Sequence, residues 1–585
     1  MPDTPSMAAP ALQAMDLTSL RAVLSELRPA LLPSRFEKAQ QPDAHSLHLG
    51  FRTLERRFWL ELSWQAEAPR LMAIEAPPKL GSGSTLAQQL QHGLSGLALS
   101  ELRQEGWERV VELQFAPRPG DPVQRTLVLE LMGRHSNLFL LDPDRRVVAM
   151  ARQVRANQSR LRPIGTGDLY SAPPPLSGCP PERGESFEHW KAQLLLLPTS
   201  LKQALQSAYQ GISPALALQL AGGTAHEARG LLSMAVGALS EAEWEGLWQR
   251  WQQWLTCLEQ DQFCFERGPE SGYRCWPSQS QGLPPATEQA LAINTGLASY
   301  FQGTLQARQL QQRRHSLSQK LEQALARERQ QLLQQQDLLQ QVEGSDALQQ
   351  QADALLCLPD PSREQVNEAQ KLYNKARKLR RSVAAISPRI EQHLGQIQQL
   401  EESLLFLELL ATGNAPIPEQ LEQLQQLDDD SAALLQRQPL SRRERRRVVE
   451  TPQPLTLLTP GGLTVQVGRN HRQNEWISLQ QARKGDLWFH AQECPGSHVV
   501  LKSSAAVPEE QDLQSAANLA AFFSRARGNS RVAVMMTPCE ALQRIPGAGP
   551  GTVRHRGGEV LWADPQQASS LVQAAAPNLS GAVES

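Results

Sequence analysis

The sequence predicts a multidomain α+β protein with a long helical arm between its terminal domains. Three observations carry this expectation. Strand-like apolar runs cluster in the first 142 residues and again beyond residue 454 of the 585-residue chain. From about Thr304 to Leu410 the composition turns to Gln, Leu, Arg and Lys in two long stretches. The length also exceeds what one core supports, so about four domains are expected.

The first domain opens on an amphipathic helix, with Leu17, Leu20, Val23, Leu24 and Leu27 at helical spacing. Strands follow over Ser46–Phe51, Arg57–Leu62, Leu71–Ile74, Arg109–Phe115, Thr126–Leu131 and Asn137–Leu141, with a helical stretch near Leu86–Leu94, which is an α+β pattern. Residues from about Glu188 to Leu255 are helical in periodicity around a tight turn at Tyr209-Gln210-Gly211-Ile212-Ser213-Pro214. Such a turn can offer backbone N–H groups to phosphate, but one Gly followed by Pro suits an ordinary helix connection, and packing is the favoured reading. Phe263–Cys275 reads as a strand pair returning to the first domain, with Gly268 and Gly272 at its turn.

The two Gln- and Leu-rich stretches are separated by Leu358-Pro359-Asp360-Pro361-Ser362, which predicts a long helix, a break and a returning helix. On the residues alone, a generic dimerising coiled coil fits as well. A linker is expected over residues 413–454, acidic at Asp428–Asp430 and basic at Arg442–Arg447. The last domain centres on a hairpin, Leu487–Ala491 and His498–Leu501, joined by the turn residues Pro495-Gly496-Ser497. Residues 566–585 are expected to form a flexible tail.

Net charge is −2, so a nucleic-acid surface must be local. Two basic clusters stand out. Arg145–Arg162 holds arginines at 145, 146, 152, 155, 160 and 162 without an acidic residue, and Arg152, Arg155 and Arg160 are candidate RNA contacts; a solvated basic loop is an equal alternative. Lys371, Lys375 and Lys378 share one helical face on the returning helix and could lie along RNA. The seven cysteines contain no CxxC pair, no apolar run reaches the length of a membrane span, and the N-terminus lacks a signal-peptide pattern. A cytoplasmic protein without a membrane partner is expected. No nucleophile elbow, HExxH, P-loop or GxGxxG occurs, so no catalytic residues and no cofactor are expected. His490, Cys494 and His498 fall at metal-like intervals, but Pro495-Gly496 breaks any helix between them, and no metal is expected.

Three ordered blocks of the last domain, Val467-Gly468-Arg469-Asn470, Lys484–Leu501 (KGDLWFHAQECPGSHVVL) and Arg544–Gly551 (RIPGAGPG), together resemble the NFACT-R module of the NFACT family of ribosome quality control proteins. Gly106–Leu113 and Glu130–Asn137, ending near Tyr170 and Pro173–Pro175, are similar to the NFACT-N domain of that family. Asn367–Leu379 (NEAQKLYNKARKL) resembles the signature that opens the returning helix of the family's coiled coil, which makes the arm an intramolecular hairpin. The resemblance implies an NFACT-N domain over residues 15–180, a helix-hairpin-helix region with its strand pair over 181–302, a coiled-coil arm over 303–412, the linker, and an NFACT-R domain over 455–565.

What the resemblance implies for function is a factor of the bacterial RqcH type. Such a factor binds large ribosomal subunits obstructed by peptidyl-tRNA, recruits alanyl-tRNA and supports template-free C-terminal alanine tailing of stalled chains for degradation. Peptide transfer belongs to the ribosome, so the protein is not an enzyme. The implied partners are the large subunit, alanyl-tRNA, ribosomal RNA and a small RNA-binding protein of the RqcP type. The implied tRNA contacts are Glu108, Arg109, Arg134 and His135, and the implied RNA contacts of the last domain are Arg469, Asn470, His490, Ser497 and His498. Two departures stand out: Glu108 occupies a place where the family usually has Asp, and Leu90-Gln91-His92-Gly93 lacks an Arg that the family tends to carry. The alternative is a fibronectin- or fibrinogen-binding adhesin, a label members of this family have also borne. Met1-Pro2-Asp3 resembles the start of the formamidopyrimidine-DNA glycosylases, but the matching domain begins near Met15 and their cysteine-paired zinc finger is missing.

Overall fold

The computed structural model describes residues 11–79, 83–155, 157, 159, 161–268, 272–277, 291–359, 361–413, 415–435, 452–545 and 549–574. The chain forms two units, Met1–Arg308 and Gln309–Ser585.

The first unit opens with α1 (Leu17–Leu31), whose buried Leu20, Val23, Leu24, Leu27 and Leu31 form the apolar face legible in the sequence. An antiparallel sheet follows, built from β1 (Ser34–Asp43), β2 (Ser46–Arg52), β3 (Arg57–Ser63), β4 (Arg70–Ile74), β5 (Ala98–Arg103), β6 (Val110–Ala116), β7 (Arg125–Glu130), β8 (Asn137–Leu141) and β9 (Val147–Met150). Its order is β4-β3-β2-β1-β5-β6-β7-β8-β9. Every neighbour is also a neighbour in sequence except β1 and β5, where the chain leaves the sheet through α2 (Thr85–Leu94) and returns. The sequence did not announce β1, β5 or β9. Ala98-Leu99-Ser100-Glu101-Leu102-Arg103 is made largely of helix formers, and pairing with β6 overrides that preference.

Five helices complete the core: α3 (Phe187–Leu195), α4 (Leu201–Ala208), α5 (Pro214–Ala221), α6 (Ala225–Ser233) and α7 (Glu241–Gln260). Each begins at a Ser or Thr that accepts a backbone N–H of its first turn, and Thr224/Glu227 and Ser240/Glu243 make reciprocal capping boxes. Polar bonds tie these helices to α1: Asp16 caps α1 through Oδ1 (2.9 Å from Ser19 N) and accepts the Ser213 hydroxyl on Oδ2 at 2.7 Å. Trp254 Nε1 donates to Thr18 Oγ1 at 3.0 Å. The short hairpin β10 (Glu266–Arg267) and β11 (Tyr273–Arg274) does return to the N-terminal domain, since Gln13 Nε2 donates to the Tyr273 carbonyl at 2.9 Å.

The arm consists of α8 (Ala292–Leu356) and α9 (Arg363–Thr412), the second capped by Ser362. They run antiparallel, because the pairs Tyr373–Asp353, Arg380–Asp346 (2.7 Å), His393–Glu328 (2.7 Å) and Arg329–Glu401 (2.6 Å) rise along α9 as they fall along α8. Within the stretch expected as a linker, α10 (Ile417–Leu435) is helical and places Leu424 and Leu427 in one buried cluster with Leu317, Leu321, Leu400 and Phe406. That corrects the linker reading for these residues. The charged run Asp428–Asp430 hid an apolar stripe at helical spacing, and Asp430 itself is buried against Arg472 at 2.7 Å. The basic run Arg442–Arg447 lies outside the described residues.

The last domain is a six-stranded antiparallel sheet in the order β12-β13-β15-β14-β16-β19, from β12 (Leu455–Leu458), β13 (Thr464–Val467), β14 (Leu487–Ala491), β15 (Val499–Leu501), β16 (Val532–Pro538) and β19 (Glu559–Ala563). The helix Glu510–Phe522 covers one face, its alanines 516, 517, 520 and 521 letting it approach Phe489, Val499 and Val534 closely. The other face is partly covered by the hairpin β17 (Leu542–Arg544) and β18 (Val553–His555) and by residues 471–480, around Trp488, Val500 and Ile477. Between α9 and this domain lies a buried polar contact: His471 Nε2 is 2.9 Å from Ser403 Oγ, and His471 Nδ1 is 3.4 Å from Glu402. Burial pulls His471 down to about 4 and pushes Glu402 up to about 7, so both sit uncharged in mildly acidic solution.

Candidate nucleic-acid interface

The sheet brings two sequence blocks to one end. β6 and β7 pair with Val110 opposite Glu130, and the ladder extends one step further, where Leu131 N donates to the Arg109 carbonyl at 2.9 Å. Glu108 and Arg109 therefore stand beside Met132 and the single 3-10 turn Gly133–His135. Gly133 takes φ +58 there, a left-handed conformation that suits glycine. Arg134 and His135 are exposed, with Arg134 Nε 3.0 Å from His135 Nε2. Arg152 joins them by donating to the Arg134 carbonyl at 3.2 Å, while Asn137 holds the backbone of residue 152.

Glu108 and Arg109 are half-buried and partly engaged. Glu108 Oε1 accepts the Leu176 N–H at 3.0 Å, just past Pro173–Pro175, and burial raises its pKa. Arg109 Nη1 donates to the Met15 carbonyl at 3.2 Å, leaving further guanidinium donors for a ligand. The turn at Gly211 reaches this end of the sheet as well. Its φ is +77, and a Cβ there would meet the Trp107 ring at 2.8 Å, so the glycine serves a close approach to the residue beside Glu108. This agrees with the packing reading of that turn. Arg21 stacks on the same indole, 5.1 Å from its centroid.

The arginine-rich stretch does not form one basic surface. Arg162 makes a bidentate pair with Glu130 at 2.6 and 2.9 Å, and Tyr170 Oη donates to the same carboxylate at 2.8 Å. Glu130 is 1% exposed, so this guanidinium is a structural clamp that returns the loop after β9 to the sheet. Arg145 pairs with Glu112 at 2.7 Å. The acids that neutralise both are 32 and 33 residues away in sequence but on adjoining strands, which no local inspection could show. Arg152 and Arg155 remain exposed; Arg160 lies outside the described residues. On α9, Lys371, Lys375 and Lys378 are all exposed.

In the last domain, the structure corrects the expected contacts for all but one residue. Asn470 is a buried helix cap whose Oδ1 accepts Gln473 N at 2.8 Å. Arg469 turns toward Glu419 (3.8 Å) and the Gln453 carbonyl. Ser497 is fully buried, and His498 is buried with Nδ1 2.7 Å from Ser478 Oγ, its pKa pulled well below normal by burial. These four hold the hairpin in shape. Gly468 belongs to the same packing, since a Cβ would strike the Asn474 side chain and backbone. His490 alone is partly open; it stacks parallel to Trp488 with centroids 5.5 Å apart, and burial lowers it to about 4, so it is neutral near pH 7. The signal for burial was the alternation of the strand itself, with His498 opposite in phase to the core residues Val499 and Leu501. Among the described residues no group of three His, Cys, Asp or Glu could hold a metal ion, and no helix is long and apolar enough to cross a membrane.

The family model for NFACT N-terminal and middle domains matches residues 16–360, more than half of the chain. The chain belongs to the NFACT family. A second model, the NFACT protein RNA binding domain, matches residues 455–557. The chain is 26% identical to the "Rqc2 homolog RqcH" of Streptococcus suis over 94% of its length and 97% of that protein, and 23% identical to that of Bacillus subtilis over 92% and 96%. It is thus a homologue of RqcH over nearly its whole length. A solved structure of the C-terminal part of the fibronectin/fibrinogen-binding protein from Streptococcus suis aligns with 45% of this chain and 98% of that one, at 27% identity and a TM-score of 0.37.

Proposed function

We propose that this NFACT protein is a ribosome-associated quality control factor. It binds large ribosomal subunits obstructed by peptidyl-tRNA, recruits alanyl-tRNA and supports template-free alanine tailing of the stalled chain. The observation that carries this reading is the convergence of Glu108, Arg109, Arg134, His135 and Arg152 at one end of the sheet, in a homologue of RqcH. Arginine forks there suit phosphate and unpaired bases, and the exposed His135 edge can donate or accept. The task is positioning: the ribosome performs peptide transfer, and the protein needs only to hold the incoming tRNA in register. Lys371, Lys375 and Lys378 on the arm suit ribosomal RNA, an RqcP-type protein completes the set of partners, and the work takes place in the cytoplasm.

The test is the double variant Glu108→Ala/Arg109→Ala in a stalled-chain reporter. Tailing should be lost while co-sedimentation with large subunits persists. Normal tailing would make these two residues structural. Glu108→Asp should retain activity, because the carboxylate stays within reach of Leu176 N.

A further inference from the structure

In β19 the residues alternate: Leu561 and Ala563 pack into the core under the helix Glu510–Phe522, and Val560 and Trp562 point away from it, 46% and 63% exposed. β19 is an edge strand, paired on one side only. Across the ladder Trp562 stands opposite Ala533 and Val560 opposite Met535, which in turn stands opposite His490. Met535 also packs into the Trp488 cluster, so this face is continuous from Trp562 through Met535 to the stacked pair of His490 and Trp488. Gly558, at φ +138, leaves no side chain over Met535, where a Cβ would come within 2.6 Å of the sulfur. His555, 6.1 Å from Trp488, bounds the far side. Arg531 is exposed and in phase with Ala533 and Met535 on the same face.

A large exposed indole on an otherwise well-packed sheet is uncommon unless something covers it. Here the residues around it share one chemistry. Trp562 and His490 are flat π surfaces two strands apart, roughly 10 Å. Single-stranded nucleic acid is bound by such a combination, with successive bases on aromatic faces and a cation for the backbone between them. An apolar peptide partner would need no neutral histidine beside the tryptophan and no arginine within the same face.

We propose that this face of the last domain is a stacking platform for single-stranded RNA, with Trp562 and His490 each receiving a base and Arg531 the intervening phosphate. The proposal deepens the RNA-binding reading of this domain and rests on it. It also extends past the residues matched by the RNA-binding family model, which end at 557. Low affinity for duplex RNA follows, because paired bases do not expose their faces.

The experiment uses the full chain and fluorescein-labelled single-stranded oligo-U and oligo-A, beside a duplex of equal length, read by anisotropy. Trp562→Ala should weaken single-strand binding roughly fivefold or more, Trp562→Phe should restore most of it, and duplex binding should change little. Arg531→Gln should weaken binding to both homopolymers alike and flatten its salt dependence. Thermal melting of Trp562→Ala should match the wild type, as the side chain is mostly exposed; if it does not, the comparison of Trp562→Phe with Trp562→Leu, similar in apolar character but lacking a ring, decides instead. Wild-type single-strand binding that persists unchanged in Trp562→Ala overturns the platform and leaves the RNA-binding reading standing. No RNA binding by the wild type overturns both. Loss of concentration-dependent self-association in the variant, with RNA binding intact, would assign the face to a second copy of the chain and also overturn the proposal.

Discussion

Replacing Glu402 by Gln should stabilise the protein at pH 8 and leave it unchanged near pH 4.5. Glu402 lies on α9 against His471 and accepts a hydrogen bond from Gln398 Nε2 at 3.0 Å, which a Gln side chain can still accept. Its folded pKa is raised from 4.5 to about 7 by burial. Below pH 4.5 the carboxyl is protonated in folded and unfolded chains alike. Between 4.5 and 7 the unfolded chain ionises first, so stability falls as pH rises, and above 7 the loss is complete. At 1.36 kcal/mol per unit, the ceiling is about 3 kcal/mol. His471 works in the opposite sense: its folded value of about 4 means that the unfolded chain takes up a proton first as pH falls from 6.5 toward 4. In the wild type the two opposing slopes nearly cancel between 4.5 and 6.5; in the variant only the histidine slope remains. Hydrogen exchange of residues 399–406 and 471–480 at pH 4.5, 6 and 8, corrected for intrinsic rates, reads this locally and avoids the many-domain unfolding of the whole chain. Equal protection of variant and wild type at pH 8, or a gain of the same size at every pH, would refute the assignment of an uncharged buried carboxyl.

Three further outcomes follow from the first unit. Arg162→Met leaves Glu130 buried without its partner and should destabilise by about 3–5 kcal/mol, with Glu130→Gln restoring part of the loss in the double variant; thermal melting checks both. Gly211→Ala should lower stability by about 1–2 kcal/mol from the positive φ alone, and more from the collision with Trp107, visible in denaturant melts. Neutralising Arg152, Arg155 and Arg160 together should reduce the salt slope of tRNA binding by roughly 0.7–0.9 per lost phosphate contact, whereas equal slopes with equal melting would remove this stretch from the tRNA surface.

The parts legible in the sequence were those written in local periodicity. α1, the β2–β3–β4 and β6–β7–β8 runs, and the arm with its break before Ser362 all announce themselves through spacing, caps and prolines. β1 and β5 did not, because both are rich in Lys, Gln, Glu and Leu and become strands only through each other and through β2 and β6. α10 was obscured by its charge. For the candidate site, residue type located Glu108, Arg109, Arg134 and His135, but it could not tell a free arginine from one clamped by a carboxylate on the next strand, as Arg162 is by Glu130. In the last domain, the same block that reveals the family also carries residues whose task is to hold the hairpin: Asn470, Ser497 and His498 are buried, whereas Trp562, which carries no motif, stands in solvent.

The most direct measurement is to purify the tagged full-length protein from its own cells by affinity and to sequence the RNA that comes with it. Large-subunit ribosomal RNA together with one strongly enriched alanine tRNA is the expected result, and the tRNA should vanish from the Glu108→Ala/Arg109→Ala variant while the ribosomal RNA remains. Protein free of both RNAs, together with sensitivity to protease added outside intact cells, would contradict the ribosomal account and favour adhesion.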